Sequence, residues 1–354
     1  MKKIWPNYSD KELRKVNQVI KTNKVNYWTG NEGKKFESEF SKYFKIKYSV
    51  AVSNASLGLE CALKALELNR NDEVIVPSKS YVSSASCVVN VGAKPIFADI
   101  DLNSQNITVE TIKKLINKKT KAIICVHLGG YPCEMEKISK FCKLNKINII
   151  EDCSQSHGAK IGNKFVGSFG DISVWSFCND KIISTLGEGG MMCTNNKKIF
   201  EKIWSLKEIG KDRKLMNIKH KNTNYRWVHN SFGTNLRLTE VQSAIGRMQL
   251  KNLNYFVKKR NYNAKQILST LKKFKSVQTP FIPKNITHAF YRCYITLRNS
   301  ELKTNWNRNK IIYNLIKRGV RCNEGSCSEL YKEKSFKDYG LSPKKRLKNA
   351  KKLS

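Results

Sequence analysis

From about residue 47 the chain alternates short apolar segments with stretches of helical periodicity, and no other feature restricts its fold as much. The apolar segments, read as strands, are 48–53, 73–77, 94–98, 121–126 and 147–151. Between them, 56–68, 80–91, 109–118 and 134–145 carry apolar residues at helical spacing. Continuous apolar runs separated by helices describe strands buried on both faces. The spacing therefore predicts an α/β fold with a mostly parallel central sheet flanked by helices. In such sheets ligands bind beyond the carboxyl ends of the strands, so the residues there are the candidates for chemistry.

The flanks read differently. Residues 1–35 are polar and aromatic, and Asn26-Tyr27-Trp28-Thr29-Gly30-Asn31-Glu32-Gly33 forms a glycine-punctuated turn before an amphipathic helix with Phe36, Phe40, Tyr43 and Phe44. That stretch is read as an N-terminal arm. Past the strands, 198–208 reads as a helix and 210–225 as a polar, basic region without regular structure. Val241, Ala244, Ile245, Met248, Leu250 and Leu253 then mark a long helix bridging to a second domain, which carries a strand at 289–296 and a helix at 308–318. The expected division is an arm over 1–35, a large α/β domain over 36–254 and a smaller C-terminal α+β domain over 255–354.

A formal net charge of +38 would first suggest nucleic acid or an anionic surface. The lysines are spread along the whole length, however, as uniform Lys, Asn and Ile enrichment from AT-rich coding would leave them. At the lysine-rich end, Leu347, Ala350 and Leu353 fall at helical spacing and make a basic helix face the better reading than a tail. The eleven cysteines include no Cys-x-x-Cys pair, so no zinc ribbon or redox dithiol is expected. With no apolar run of about 20 residues and no apolar signal core at the start, a cytoplasmic setting without membrane contact is expected.

The strand ends are polar in a particular way. Ser53-Asn54-Ala55-Ser56-Leu57-Gly58 opens a helix, which is either an ordinary N-cap or a seat for a phosphate. Pro77-Ser78-Lys79-Ser80-Tyr81 brings an aromatic to the same edge, as core or as a stacking surface. The fourth strand ends in His127-Leu128-Gly129-Gly130, where a structural histidine is the ordinary reading. The fifth ends in Glu151-Asp152-Cys153-Ser154-Gln155-Ser156-His157-Gly158, and two carboxylates at a buried strand end each need a partner. Lys181 lies between the apolar run Ile172-Ser173-Val174-Trp175-Ser176-Phe177 and the Gly187-Glu188-Gly189-Gly190 turn. A lysine held there must be paired or lose its charge, and a neutral lysine attacks carbonyl carbon. An aldehyde cofactor with a pyridine ring and a phosphate needs a lysine, a carboxylate for the ring nitrogen, an aromatic and a phosphate seat. The chain offers Lys181, Asp152, Tyr81 and Asn54 to Ser56.

These residues resemble the DegT/DnrJ/EryC1/StrS sugar aminotransferases, from the arm to about residue 330. The resemblance rests on Asn54-Ala55-Ser56, Pro95-Ile96-Phe97-Ala98-Asp99-Ile100-Asp101, Val126-His127-Leu128-Gly129-Gly130, Glu151 to Ala159, Ser176-Phe177 before Lys181, Gly187-Glu188-Gly189-Gly190 and Asn235-Leu236-Arg237. It implies fold type I of the pyridoxal 5'-phosphate enzymes, with Lys181 as the Schiff-base lysine and proton shuttle. Asp152 would face the pyridine nitrogen, Gln155 the phenolic oxygen and Tyr81 the ring. Ala55, Ser56 and Ser176 would hold the phosphate, and Asn235 would come from the partner of a homodimer with shared sites. Tyr27, Trp28, Gly30 and the 210–230 region match places where the family meets its nucleotide-sugar substrate, and Arg237 joins them. No metal is implied.

Three departures stand out. Ala55-Ser56 occupies a position where relatives usually carry Gly-Thr, Cys178-Asn179-Asp180 stands where many carry a His-Pro pair, and relatives continue past the position of Ser354. The last departure raises the expectation of a small domain without its final part. The expected activity is transfer of an amino group, with glutamate as donor, to a keto group on a nucleotide-linked sugar for surface polysaccharide or glycan biosynthesis. A sugar dehydratase of the same fold is the nearest alternative, and the presence of lysine instead of histidine at 181 argues against it. A non-enzymatic basic regulator that binds nucleic acid is suggested only by the charge.

Overall fold

The computed structural model describes residues 5–218 and 225–354. Its strands are β1 (Tyr48–Val52), β2 (Glu73–Pro77), β3 (Lys94–Ala98), β4 (Thr120–Val126), β5 (Asn148–Asp152), β6 (Lys160–Ile161), β7 (Lys164–Phe165), β8 (Ile172–Ser176), β9 (Gly190–Thr194), β10 (Val277–Gln278), β11 (Ile286–Thr287) and β12 (Thr296–Leu297). Its helices are α1 (Asp10–Lys21), α2 (Glu32–Phe44), α3 (Ala55–Ala65), α4 (Ser83–Asn90), α5 (Val109–Ile112), α6 (Met135–Leu144), α7 (Lys197–Lys207), α8 (Arg213–Asn217), α9 (Glu240–Leu271), α10 (Arg308–Lys317), α11 (Lys334–Asp338) and α12 (Lys348–Lys352).

Seven strands form one sheet in the order β1-β9-β8-β5-β4-β2-β3. Neighbours run parallel except at β9, which is antiparallel to both β1 and β8. The 177–189 connection contains no helix to make a parallel crossover, so the chain folds straight back after β8. Two reversals restore direction, and β1 points the same way as β2, β4, β5 and β8. All their carboxyl ends therefore meet at one edge, with Lys181 in the fold-back between β8 and β9.

Side chains alternate between the two faces, as strand geometry requires. Val50, Val52, Val174 and Met192 face a core under α3, α4 and α7. Ala51, Trp175, Met191 and Cys193 face a second core with Phe36, Phe40 and Phe44 of α2 and Leu250, Leu253 and Val257 of α9. There Phe40 lies 4.5 Å from Phe44 and 5.4 Å from Trp175, centroid to centroid, and all three are fully buried. Removing this ring leaves a cavity that the flanking aromatics cannot close. Phe40→Ala is expected to lower stability by about 3–5 kcal/mol in urea unfolding; a loss under about 1 kcal/mol would mean that the site collapses freely.

Four elements differ from the sequence reading. The 109–118 pattern forms helix only over Val109–Ile112, because the Leu115 N–H turns tightly back to the Ile112 carbonyl. The 210–225 stretch holds α8, capped by Asp212, while 219–224 lies outside the described residues. The strand expected at 289–296 survives only as β12. Phe290 has φ +47, and the Ala289 and Arg292 N–H groups donate to Gly130 and Gly129, so the segment docks on a loop instead of joining a sheet. Finally, α9 continues unbroken to Leu271, so the 254/255 division falls inside a helix. The C-terminal segment also returns to the main sheet: Leu330 N–H donates to Ser78 and Ala350 N–H to Asp99, and Tyr331 and Phe336 pack on Phe97.

Candidate active site

The carboxyl ends of β1, β2, β5 and β8 open onto one cleft of about 690 Å³. At the first, Asn54 caps α3 by accepting from the Leu57 N–H at 2.9 Å, which leaves the amides of Ala55 and Ser56 at the cleft wall. A helix N-terminus of this kind attracts an anion. The backbone of β9 passes directly beneath: a Cβ on Gly190 would lie 2.8 Å from the Asn54 carbonyl carbon and 3.0 Å from the Ala55 nitrogen. Only glycine permits that approach. Ser176, at the end of β8, accepts from the Cys178 N–H at 3.2 Å and keeps its hydroxyl proton for a ligand.

At the end of β5 the two carboxylates are handled separately. Glu151 points away from the cleft and is fully buried. One oxygen accepts from the N–H groups of Phe169 and Gly170, both at 2.7 Å, and the other from Gly167 at 2.8 Å and His127 Nε2 at 3.1 Å. Cys133 N–H donates to His127 Nδ1, so Nε2 is the donor toward Glu151. Burial would raise the Glu151 pKa, but the His127 hydrogen bond and the backbone amides outweigh it and hold the group below the usual carboxylate range. His127, Glu151 and Cys153 lie close enough to hold an ion, yet the carboxylate oxygens are already occupied by these four donors. This cluster is an internal brace.

Asp152 does face the cleft. It is 5% exposed, accepting from Ser84 Oγ at 2.9 Å and the Ser154 N–H at 3.1 Å, with acceptor capacity left for a ligand. Gln155 uses its oxygen for the Gly129 N–H at 2.7 Å, which turns its NH2 toward free space in the cleft. Tyr81 stands at the rim with 66% of its surface exposed.

The Lys181 side chain is largely buried. Its ammonium is paired: Nζ lies 3.3 Å from the Tyr291 hydroxyl and 3.5 Å from Asp180 Oδ1. The Tyr291 hydroxyl also donates to Asp180, and Arg292 meets the same carboxylate at 3.0 Å. Burial raises the Asp180 pKa, but Tyr291, Lys181 and Arg292 together hold it below the ordinary value. Behind Lys181, His157 packs between Trp175 and Phe177, and burial with the charges of Lys181 and Arg260 pushes its pKa down to about 3.

The cleft thus brings together Ala55, Ser56, Tyr81, Asp152, Gln155, Ser176 and Lys181. It does not bring in Asn235, which is exposed elsewhere on the chain. Nor does it include Tyr27, Trp28, Gly30 or Arg237. Tyr27, Trp28 and Arg237 surround a buried charge cluster: Trp28 and Arg237 bond Glu208 at 3.0 and 2.8 Å, Lys207 meets Glu208 at 3.1 Å and lies over the Tyr27 ring, and Tyr27 donates to Glu37 at 2.9 Å. At Gly30 a Cβ would strike the Glu240 side chain. Asp180, Tyr291 and Arg292 line the cleft without having been singled out as site residues in the sequence. Asp180 had a signal in its unusual place before Lys181, whereas Tyr291 sits in an apolar run that reads as a strand.

A profile of the DegT/DnrJ/EryC1/StrS aminotransferase family matches residues 6–354. The GDP-perosamine synthase of Escherichia coli O157:H7 is 35% identical over 299 residues, covering 84% of this chain and 78% of that protein. An aminotransferase from Psychrobacter cryohalolentis, solved by X-ray methods, superimposes with a TM-score of 0.97 at 42% identity, over 99% of this chain and 91% of its own. An E. coli GDP-4-keto-6-deoxy-D-mannose-3-dehydratase with bound hydrated PLP matches at TM-score 0.89 and 26% identity, over 99% and 92%. The central sheet and its helices are therefore those of PLP-dependent fold type I enzymes.

Proposed function

The chain belongs to the DegT/DnrJ/EryC1/StrS aminotransferase family, and on that premise we propose that it moves an amino group from an amino acid, glutamate, to a keto group of a nucleotide-linked sugar for surface polysaccharide or glycan synthesis. Pyridoxal 5'-phosphate is the cofactor. The observation that carries the reading is a lysine at 181 sharing one cleft with Asp152, Gln155 and the start of α3. The donor set fits the group: the first amides of α3 with Ser56 and Ser176 suit the phosphate, the free Gln155 NH2 a phenolic oxygen, and the Asp152 carboxylate a protonated ring nitrogen. Tyr81 offers its exposed ring for stacking.

When bound, the cofactor supplies an aldehyde carbon for amines and a protonated ring that draws electrons. The chain does the rest. Asp152 keeps the ring nitrogen charged, and a buried carboxylate already fastened by Ser84 and Ser154 holds that charge pair without rearranging. Lys181 Nζ takes the proton from the carbon bearing the donor's amine and later delivers one to the sugar carbon that becomes aminated. A histidine at 181 would lack the primary amine that captures the aldehyde, which separates this reading from the dehydratase one.

We further assign Asn235 to the cleft of a partner subunit in a homodimer. Its exposure, outside its own cleft and three residues after the exposed Phe232, supports that assignment. The family resemblance assigns Tyr27, Trp28, Gly30 and Arg237 to the nucleotide-sugar substrate, and since they lie outside this chain's own cleft they are proposed to meet it in the partner's, with Asn235. A cytoplasmic setting fits the eleven unpaired cysteines. Among the described residues no helix is long and apolar enough to cross a membrane.

The test begins with the absorption spectrum of the purified protein. A visible cofactor band that glutamate bleaches is expected, with an aminated product in mass spectra when keto-sugar nucleotides carrying GDP, UDP or dTDP are supplied. A deoxygenated product without nitrogen would favour the dehydratase. Failure to take up the cofactor, together with salt-sensitive affinity for DNA or RNA, would overturn the enzyme reading.

A further inference from the structure

Asp180 and Tyr291 are not accounted for by the reaction as described, although both touch Lys181. Tyr291 comes from the segment docked on the Gly129-Gly130 loop and is fastened on several sides. The neighbouring N–H groups of Ala289 and Arg292 bond Gly130 and Gly129 at 2.9 and 3.1 Å. The half-buried Arg260 guanidinium donates to the carbonyls of Phe290 and Tyr291 at 3.2 and 3.4 Å. Tyr294 is wedged so closely between Gly129 and Gly325 that a Cβ on either would come within 2.7 Å of its ring. A side chain on so fixed a backbone holds its hydroxyl at one point in the cleft.

That hydroxyl donates to Asp180, which leaves its lone pairs to the Lys181 ammonium. Arg292 holds the far side of the carboxylate at 3.0 Å and approaches the hydroxyl at 3.3 Å. Both cations also lie over the Tyr291 ring, Lys181 at 4.7 Å and Arg292 at 4.5 Å from its centroid. Asp180 belongs to the Cys178-Asn179-Asp180 stretch directly before the lysine, so the anchor is adjacent in the chain to the amine it holds.

We propose that Tyr291, held by Asp180 and Arg292, is a positioning residue that docks the Lys181 amine whenever it is detached from the cofactor. The inference rests on the role proposed for Lys181. A released lysine would otherwise sample its many rotamers. Docked, it waits within the cleft, oriented by one hydroxyl and one carboxylate, ready to move a proton or to recapture the aldehyde.

The amine, the hydroxyl and the carboxylate all belong to this chain, so the test starts with cofactor-stripped protein. Brief acetylation with acetic anhydride, followed by peptide mass spectrometry, gives the labelling rate of Lys181 relative to lysines outside the cleft. In Tyr291→Phe that relative rate is expected to rise at least about tenfold, the loss of one hydrogen bond to a charged group, and in Asp180→Asn severalfold, the loss of the ion pair. With cofactor restored, Tyr291→Phe should lower kcat about tenfold while KM for the keto-sugar nucleotide stays within about twofold. Unchanged Lys181 labelling in both variants overturns the proposal. Asp180 is half-exposed, so Asp180→Asn keeps the test open if Tyr291→Phe fails to fold. The labelling is read without cofactor or sugar, whereas a wrong functional reading would show as wild-type protein that never binds the cofactor.

Discussion

Lys181→Ala protein is expected to fold normally and lose turnover by at least about 10⁴-fold, because one side chain supplies both the amine that captures the cofactor and the proton carrier for each half of the reaction. The mutation removes a side chain whose partners, Tyr291 and Asp180, already bond each other and Arg292. No buried charge is stranded, and the melting temperature should stay close to wild type. The visible band of the lysine-bound cofactor should vanish even when the phosphate seat at Ser56 and Ser176 still retains it. Added methylamine or ammonia should restore part of the rate. Retention of both colour and turnover would sink the assignment of Lys181.

Glu151→Gln is expected to destabilise the fold by about 3 kcal/mol, measured by urea unfolding at neutral pH. The substitution keeps size and shape, yet both ends of the side chain face only N–H donors: Phe169 and Gly170 on one side, Gly167 and His127 on the other. Whichever way the amide turns, its NH2 opposes two donors. The pH dependence follows from the same contacts. Because the folded pKa of Glu151 lies below its unfolded value, its contribution is present above the unfolded carboxyl range near about 4.3 and is lost as pH falls through the folded value. Wild-type stability should therefore drop on acidification through that window, and the variant should show a flatter acid limb. Equal slopes in the two proteins would remove Glu151 from the acid response.

The sequence disclosed this architecture where local periodicity and burial agree. Strands β1 to β5 fall within a residue or two of the apolar runs, because a strand covered on both faces must be apolar throughout. The polar residues that end those runs, Asn54, Ser56, Asp152 and Gln155, came with them, since strand ends of a parallel sheet share an edge. Features that depend on partners distant in sequence were less legible. Nothing local in Ala289 to Ile295 distinguishes a strand from a segment whose amides are taken by Gly129 and Gly130. Nothing local to Tyr27 and Trp28 announces that Glu37, Lys207 and Glu208 fold against them. For the same reason Tyr291 was unreadable as a companion of Lys181, while Asp180, adjacent in the chain, was at least noticed.

The placement of β9 has a further consequence, for the order in which the protein can be made. Strand β1 pairs in the sheet only with β9, so Tyr48 meets Thr194 and Val52 meets Gly190. During synthesis the first strand must wait for a partner that leaves the ribosome well over a hundred residues later, at about 5–20 residues per second. Meanwhile β2 to β5 can assemble, each beside strands already made. The segment from Asn54 to Ser56 is fastened only when Gly190 slides beneath it, in the same closure that sets Lys181 in its fold-back. A chain that has not yet reached β9 therefore has neither the anion seat nor the amine in place.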